Sequence, residues 1–223
     1  MSLTLAQFET LIGDEGVQII DTRPSELWMD GHIPNSLHIT PATVKYAVAM
    51  GLIEKDTPIA FILPDTLGAS VIAYFEKGGF TNSKGYLEGG YATWLNSNKK
   101  IDLLIEVEVD ELAMDMPFDE FLMVLDIRTE DAYNQGHIKD SISIPLLEFP
   151  DPGSMSELDE HFNIYIISET GESNSLAASL LKQQGIHNIR IVKDGWEAVQ
   201  FLKERFTIEK TKVKPNPDSL LED

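Results

Sequence analysis

The order of apolar and polar positions along the chain predicts alternating strands and helices. In the second half, short apolar runs rich in β-branched side chains, which are typical of buried parallel strands, lie at residues 123–127, 164–168 and 189–192. Residues 174–184 have helical spacing, with Asn174 as the expected N-cap and Gly185 as the stop. Residues 196–205 indicate a closing helix.

The first half shows the same alternation. Residues 59–63 predict a strand, and residues 69–77 predict a helix that ends at the two glycines of positions 78–79. A further helix is expected after Gly90. Strands that alternate with helices favour a mainly parallel sheet with helices on both faces. Each half is therefore predicted to be an α/β unit.

A longer pattern recurs at a nearly constant distance. The motif Asp-x-Arg followed by Gly-His-Ile occurs twice, and the second copy lies 105 residues after the first. The recurring residues are Asp21, Arg23, Gly31 and His32 in the first copy and Asp126, Arg128, Gly136 and His137 in the second. Further on, Gly90 matches Gly195, and an aromatic residue follows each, Trp94 and Trp196.

A repeat of this length has the size of a domain rather than of a solenoid unit. We therefore predict domain 1 at residues 1–98 and domain 2 at residues 103–207. Residues 208–223 are predicted to form a solvated tail, because they contain two prolines and show no periodicity.

The charge of the chain restricts its partners. Asp and Glu number 37 and Lys and Arg number 17, so the net charge is −20, which repels nucleic acid and anionic membranes. No apolar run is long enough to span a membrane and no export signal is visible, so a cytoplasmic location is expected. The chain has no cysteine, which excludes disulfides, thiolate metal sites and cysteine nucleophiles. We predict no metal and no cofactor.

The duplicated motifs resemble those of the rhodanese (thiosulfate sulfurtransferase) superfamily over residues 3–206. The resemblance implies a loop in which a cysteine follows a strand and backbone N–H groups surround its sulfur at a helix N-terminus. Such donors stabilise a thiolate, a persulfide or an oxyanion. Without a cysteine, this chain is predicted to be unable to carry sulfur as a persulfide.

Counting back from Gly185 places the equivalent loop of domain 2. Its residues are Ser168, Glu169, Thr170, Gly171, Glu172, Ser173 and Asn174, with Ser168 at the nucleophile position. In domain 1 the same count puts about Ile62 at that position, followed by Pro64, which lacks an N–H group. We predict that the loop of domain 2 stays open as a ligand site and that the loop of domain 1 closes on its apolar side chains.

Several residues invite a chemical interpretation, and a structural one is favoured for each. Ser168 as a nucleophile needs a base within about 3 Å, and no histidine lies near it in sequence. Because His32 and His137 recur beside unlike loops, they are expected to be structural rather than a metal pair. Asp21 and Asp126 are expected to be buried carboxylates that fix the loops that follow them.

The start of domain 2 is strongly acidic, with Glu106, Glu108, Asp110 and Glu111 in one short segment. Such a run is usually a solvated face, and a docking surface for a basic protein partner is the alternative. The sequence leaves the oligomeric state open.

The favoured function is a catalytically inactive sulfurtransferase-like protein that acts as a binding or scaffold module linked to sulfur metabolism. One alternative is a non-catalytic part of a sulfurtransferase or metallo-hydrolase system whose reactive group lies in another domain or partner. The other is a hydrolase or phosphatase-like enzyme that depends on Ser168.

Overall fold

The structure, a computed structural model, describes residues 1–14, 16–54, 56–63, 68–151, 153–156 and 158–211. It contains two five-stranded, all-parallel sheets flanked by helices, one in each repeat, which confirms the predicted fold class. The strands follow the same spatial order in both sheets.

Domain 1 has the sheet order β1-β5-β4-β2-β3. Its strands are β1 (Ser2–Leu3), β2 (Gln18–Asp21), β3 (Leu37–His38), β4 (Ile59–Ile62) and β5 (Ser83–Leu87). Its helices are α1 (Leu5–Ile12), α2 (Ser25–Asp30), α3 (Val44–Ala49), α4 (Gly68–Lys77) and α5 (Gly90–Leu95).

Domain 2 has the sheet order β6-β11-β10-β7-β9, and a separate antiparallel pair, β8 with β12, lies outside this sheet. Its strands are β6 (Ile105–Val107), β7 (Leu122–Asp126), β8 (His137–Ile138), β9 (Ile142–Ser143), β10 (Asn163–Ile167), β11 (Ile189–Val192) and β12 (Ile208–Glu209). Its helices are α6 (Val109–Asp115), α7 (Glu130–Gln135), α8 (Asn174–Gln183) and α9 (Gly195–Phe201), with 3₁₀ turns at Leu146–Glu148 and Lys203–Arg205.

One apolar cluster extends through both domains. Ile20 and Phe61 from the sheet of domain 1 and Leu125 and Ile166 from the sheet of domain 2 belong to it and are completely buried. The apolar side chains of β4 and β10 are buried on both faces, as expected for central strands of a parallel sheet. The two repeats therefore share a core.

Helix α8 belongs to domain 2 but lies against both domains. Every residue from Asn174 to Lys182 is buried, because one side of α8 covers β10 and β11 and the other contacts β3 of domain 1. Three polar residues, Ser175, Ser179 and Lys182, follow one another at helical spacing. Each of them bonds to domain 1 or to the segment that joins the domains.

The end of domain 2 differs from the prediction. Helix α9 ends at Phe201, and the backbone of Leu202 leaves the helical region before the 3₁₀ turn. The first two residues of the predicted tail, Ile208 and Glu209, pair with Ile138 and His137. Ile208 also packs on the apolar cluster of domain 2, which explains why the chain stays attached there. Residues 212–223 of the predicted tail lie outside the described residues.

Candidate functional site

The loop between β10 and α8 is the candidate site. Strand β10 ends at Ile167, and the next residue, Ser168, is 5% exposed. Its hydroxyl oxygen accepts a hydrogen bond from the backbone N–H of Gly171 at 3.0 Å. The loop therefore curls back over Ser168, and one backbone donor points at the position that a sulfur atom would take in the family that the sequence resembles.

Two glycines allow this loop to approach the start of α9. The backbone N–H of Trp196 donates to the carbonyl oxygen of Ser168 at 2.8 Å. A Cβ atom on Gly195 would lie 2.2 Å from that same oxygen, so only glycine fits there. Gly171 has a φ of +81°, in the left-handed region that favours glycine. The shape of the loop thus depends on both Gly171 and Gly195.

The N-cap of α8 is Ser173, so the prediction of Asn174 was wrong. Asn174 is the first helical residue and is completely buried, and its side-chain amide donates to the carbonyl oxygen of Val192 at 3.0 Å. The side chain of Asn174, which was expected to cap α8, therefore bonds to the backbone of β11 instead. Ser173 makes no side-chain capping hydrogen bond.

A cavity of about 490 Å³ opens beside Ser168. Its lining residues are Tyr46, Ile127, Arg128, Thr129, Glu130, Pro145, Leu146, Leu147, Glu148, Ser168, Glu169 and Ser173. Apolar atoms make up most of the surface that the walls expose to the cavity. Tyr46 comes from α3 of domain 1, so both domains contribute to the cavity.

The opposite side of the loop borders a second cavity, of about 480 Å³. Thr170, Gly171 and Glu172 line it together with Ser25 and Glu26 of domain 1. Of the predicted loop residues, Glu169, Thr170 and Glu172 are exposed, and Ser168 and Asn174 are buried. The loop therefore separates two cavities at the junction of the domains.

The repeated aspartate and arginine form a buried pair in domain 1. Asp21 ends β2, and its Oδ1 accepts a hydrogen bond from the backbone N–H of Arg23 at 3.0 Å. The guanidinium Nη2 donates to Asp21 Oδ2 at 2.7 Å and to the carbonyl oxygen of Gly31 at 2.8 Å. Its central carbon lies 3.9 Å from the ring centroid of Tyr91. The pair ties the end of β2 to the end of α2.

Domain 2 repeats this geometry. Arg128 Nη2 donates to Asp126 Oδ2 at 2.6 Å and to the carbonyl oxygen of Gly136 at 2.8 Å. Its guanidinium carbon lies 3.8 Å from the ring centroid of Trp196. The counterpart of Trp196 in domain 1 is therefore Tyr91, rather than Trp94, the aromatic residue that the sequence comparison named. The reason is that an aromatic ring directly after the helix-starting glycine is the one that reaches the arginine.

The histidines of the Gly-His-Ile motif have matching surroundings. His32 stacks on Trp28 at 3.8 Å between ring centroids, and its Nδ1 lies 2.9 Å from the carbonyl oxygen of Trp28. His137 stacks on Tyr133 at 3.8 Å and bonds to its carbonyl in the same way. Burial lowers the pKa of His32 to about 4, so this ring is neutral at pH 7. Both rings close the end of a helix.

A serine–histidine contact that sequence reasoning missed joins the two domains. His38 Nδ1 lies 2.8 Å from Ser175 Oγ, and His38 Nε2 lies 2.8 Å from the carbonyl oxygen of Arg23. The carbonyl can only accept, so Nε2 carries the hydrogen and donates to it, and in the neutral ring Nδ1 accepts a hydrogen bond from the hydroxyl group of Ser175. No local pattern indicates this contact, since 137 residues separate its partners.

Ser168 has no comparable base. Within the described residues its hydroxyl is hydrogen bonded to Gly171 alone, and no histidine bonds to it. The loop of domain 1 cannot be compared in full, because residues 64–67 lie outside the described part of the chain. Ile62 pairs with Asp21 as Ile167 pairs with Asp126, so Leu63, one residue after the predicted Ile62, is the counterpart of Ser168. Both Ile62 and Leu63 are buried.

The acidic start of domain 2 is built into its fold. Val107 and Val109 are buried, whereas the acidic residues between and after them face outward on β6 and α6. Glu108 pairs with Lys193 at 2.8 Å, and Asp115 accepts a hydrogen bond from Tyr165 at 2.6 Å. The described residues contain no group of three or more histidine or carboxylate side chains suited to a metal ion.

Comparisons with known proteins agree with the geometry. The sequence profile of the rhodanese-like domain matches residues 4–97 and 108–201. The putative sulfur carrier protein YrkF of Bacillus subtilis is 30% identical over 100 residues, which cover 45% of this chain and 53% of that protein. The matched region thus spans about half the length of this curated relative.

Solved structures are similar to this chain at low sequence identity. The Alr3790 protein of Anabaena sp. is 24% identical, with a TM-score of 0.43, over 48% of this chain and 81% of that one. Thiosulfate sulfurtransferase from Pseudomonas aeruginosa is 14% identical, with a TM-score of 0.40, over 96% of this chain and 44% of that one. Within the described residues, no helix is long and apolar enough to cross a membrane.

Proposed function

The chain belongs to the rhodanese-like domain family, and on that premise we propose that it is a binding or scaffold module of sulfur metabolism that does not itself transfer sulfur. The observation that supports this proposal is the combination of a retained loop and cavity with Ser168 at the position of the sulfur nucleophile. A serine oxygen cannot hold a transferable sulfane sulfur, and the chain has no cysteine elsewhere.

A hydrolase that depends on Ser168 is less well supported. A serine nucleophile needs a base that takes its proton. The hydroxyl of Ser168 accepts a hydrogen bond from Gly171, and no described histidine or carboxylate bonds to it. The histidine that does contact a serine hydroxyl, His38, bonds to Ser175 at the domain interface.

The first experiment measures sulfur transfer. We expect no thiosulfate:cyanide activity above buffer, because no thiolate can form the persulfide. Turnover in a purified sample of verified mass would contradict the proposal. The variant Ser168→Cys tests the loop, because the new thiol would be the only one in the chain. With the N–H of Gly171 directed at it, its pKa should fall modestly below the ~8.5 of a free cysteine, since Glu169 and Glu172 oppose the shift.

The pH dependence of alkylation measures that pKa. Ser156→Cys is the matched control, because Ser156 is exposed and lies outside the loop. Equal pKa values in the two variants would show that the loop does not favour an anion at this position.

Binding is tested by cross-linking from the cavity. Leu147 lines the cavity and is 53% exposed, so a benzophenone attached to Leu147→Cys reports on what lies there. We expect a defined cross-linked product that the same label at Ser156→Cys does not give. Identical products from both positions would argue against a binding role for the cavity.

A further inference from the structure

The cavity beside Ser168 has walls of the wrong charge for an anion. Three carboxylates line it, those of Glu130, Glu148 and Glu169, and all three residues are exposed. Arg128 is the one basic residue among the described residues that line it. The 490 Å³ volume is large enough for a small organic molecule or a long side chain.

The charge of Arg128 is already matched. Its Nε and Nη2 both donate to Asp126, and Nη2 also donates to the carbonyl oxygen of Gly136. Its side chain is 2% exposed and is held against Trp196. Lys45 lies outside the lining, with its Nζ 4.8 Å from the ring centroid of Tyr46. The three carboxylates therefore make the electrostatic potential in the cavity negative.

A second feature points to a ligand with an acceptor atom. Ser168 lines the cavity, and only 5% of its surface is exposed. Its oxygen accepts from Gly171, but its own hydroxyl hydrogen has no acceptor among the described residues. This hydrogen can therefore be donated to an oxygen atom of a ligand in the cavity.

The N-terminus of α8 and the rim carboxylates act on a charged ligand in opposite directions. The positive end of the helix strengthens the binding of an anion by roughly two- to fivefold. A carboxylate about 6 Å away in water disfavours an anion by roughly threefold. Three such carboxylates outweigh one helix terminus, and the chain's net charge of −20 adds to them.

Resting on the proposed binding function, we infer that this cavity binds an organic cation. The ligand carries an ammonium or guanidinium group for the rim glutamates, a short apolar stem for Leu146 and Ile127, and an oxygen acceptor for Ser168. Such a group is found on a free amine and on a lysine or arginine side chain of a partner protein.

The test uses NMR titration of the full chain with matched probes. We expect 4-aminobutan-1-ol to shift the amide resonances of Ser168 and Leu146 and to bind at least tenfold more tightly than 4-hydroxybutyrate. Replacing the three rim glutamates, Glu130, Glu148 and Glu169, by glutamine should weaken its binding roughly tenfold. The matched control replaces Glu111, Glu120 and Glu204 by glutamine, which changes the net charge equally at positions outside the cavity lining. This control should change the affinity for 4-aminobutan-1-ol less than twofold.

N-acetyl-lysine methylamide identifies the source of the cation. Tighter binding of this amide than of the amino alcohol indicates a protein side chain, and equal binding indicates a free amine. Both results support the inference. An equal loss of binding in the two triple variants would overturn it, because the attraction would then come from net charge alone.

The two proposals fail differently. If thiosulfate or 4-hydroxybutyrate shifts the cavity resonances and the cations do not, the cation is wrong and the binding role stands. If none of the probes shifts them, the inference is overturned and the proposed binding role loses its site.

Discussion

At the scale of single residues, the histidines of domain 1 depend on being uncharged. His32 and His38 are 1% and 0% exposed, and both stack on Trp28. Burial lowers the pKa of both rings, that of His32 to about 4. In the folded chain neither ring takes up a proton near pH 6.5, whereas in the unfolded chain each of them does.

This difference predicts a loss of stability in mild acid. Because the unfolded state binds more protons, acid favours unfolding. The contribution of the neutral His32 ring to the free energy of unfolding is fully present above about pH 6.5 and is lost as the pH falls towards 4. Between pH 7.5 and 5, His32 alone should lower the free energy of unfolding by about 2 kcal/mol. Urea unfolding at the two pH values measures this loss.

Substitution separates the histidine from the carboxylates that also titrate. In His32→Gln the loss between pH 7.5 and 5 should be smaller than in the wild type by about 2 kcal/mol. His187→Gln, at an exposed position, should keep the wild-type loss. An unchanged loss in His32→Gln would show that His32 does not control the pH dependence.

At the scale of elements, α8 shows why a helix that is buried on all sides can carry polar residues. Lys182 is 5% exposed, and its Nζ donates to Asp102 Oδ2 at 2.7 Å and to the carbonyl oxygen of Leu103 at 2.9 Å. Burial, the largest single cause, raises the pKa of Asp102, but the hydrogen bond and charge of Lys182 and the backbone N–H of Leu103 together outweigh it, and the net shift is downward. The end of α8 is thereby fixed to the chain between the domains.

We expect Lys182→Met to lower the free energy of unfolding by about 1–3 kcal/mol, because the carboxylate loses its partner. Lys203→Met, at an exposed position, should cost less than about 0.5 kcal/mol. A double-mutant cycle with Asp102→Asn measures the coupling between the two side chains. A coupling energy near zero would mean that the helix is held by its apolar contacts alone.

Elements were predictable wherever their pattern is local. Residues 189–192 were predicted with the bounds that β11 has, and the helix predicted at 174–184 extends one residue beyond α8. Helix α6 was missed, because the acidic run hides the inward positions of Val109 and Leu112. Strand β1 was missed, because two residues are too few to show a period.

The site was predictable only in part. The Ser168 loop could be placed by counting back from Gly185, because α8 and the loop before it are continuous in sequence. The place of Tyr46 in the wall of the cavity and the contact between His38 and Ser175 could not be predicted, because in each case the partners lie in different domains. Nothing in the sequence near either partner records the distance between them in space.

At the scale of the whole molecule, the shared core and α8 predict one unfolding transition. Buried residues of both domains form one apolar cluster, and the polar side of α8 bonds to domain 1. Unfolding of domain 1 would expose this side of α8, and unfolding of domain 2 would remove α8 from the surface of domain 1. We expect native amide signals from both domains to disappear at the same urea concentration in NMR spectra. Two separated midpoints would show that the domains unfold independently.

The enclosure of α8 has no counterpart in α4, the corresponding helix of domain 1. The positions that match Ser179 and Lys182 are Ala73 and Glu76, which are exposed on α4. The duplicated halves are thus unequal in how much change they tolerate: substitutions on the outer side of α4 meet water, whereas those on α8 meet another domain. The exposed positions of α4 are accordingly one place where this chain can vary, or accept a label, at little cost to its fold.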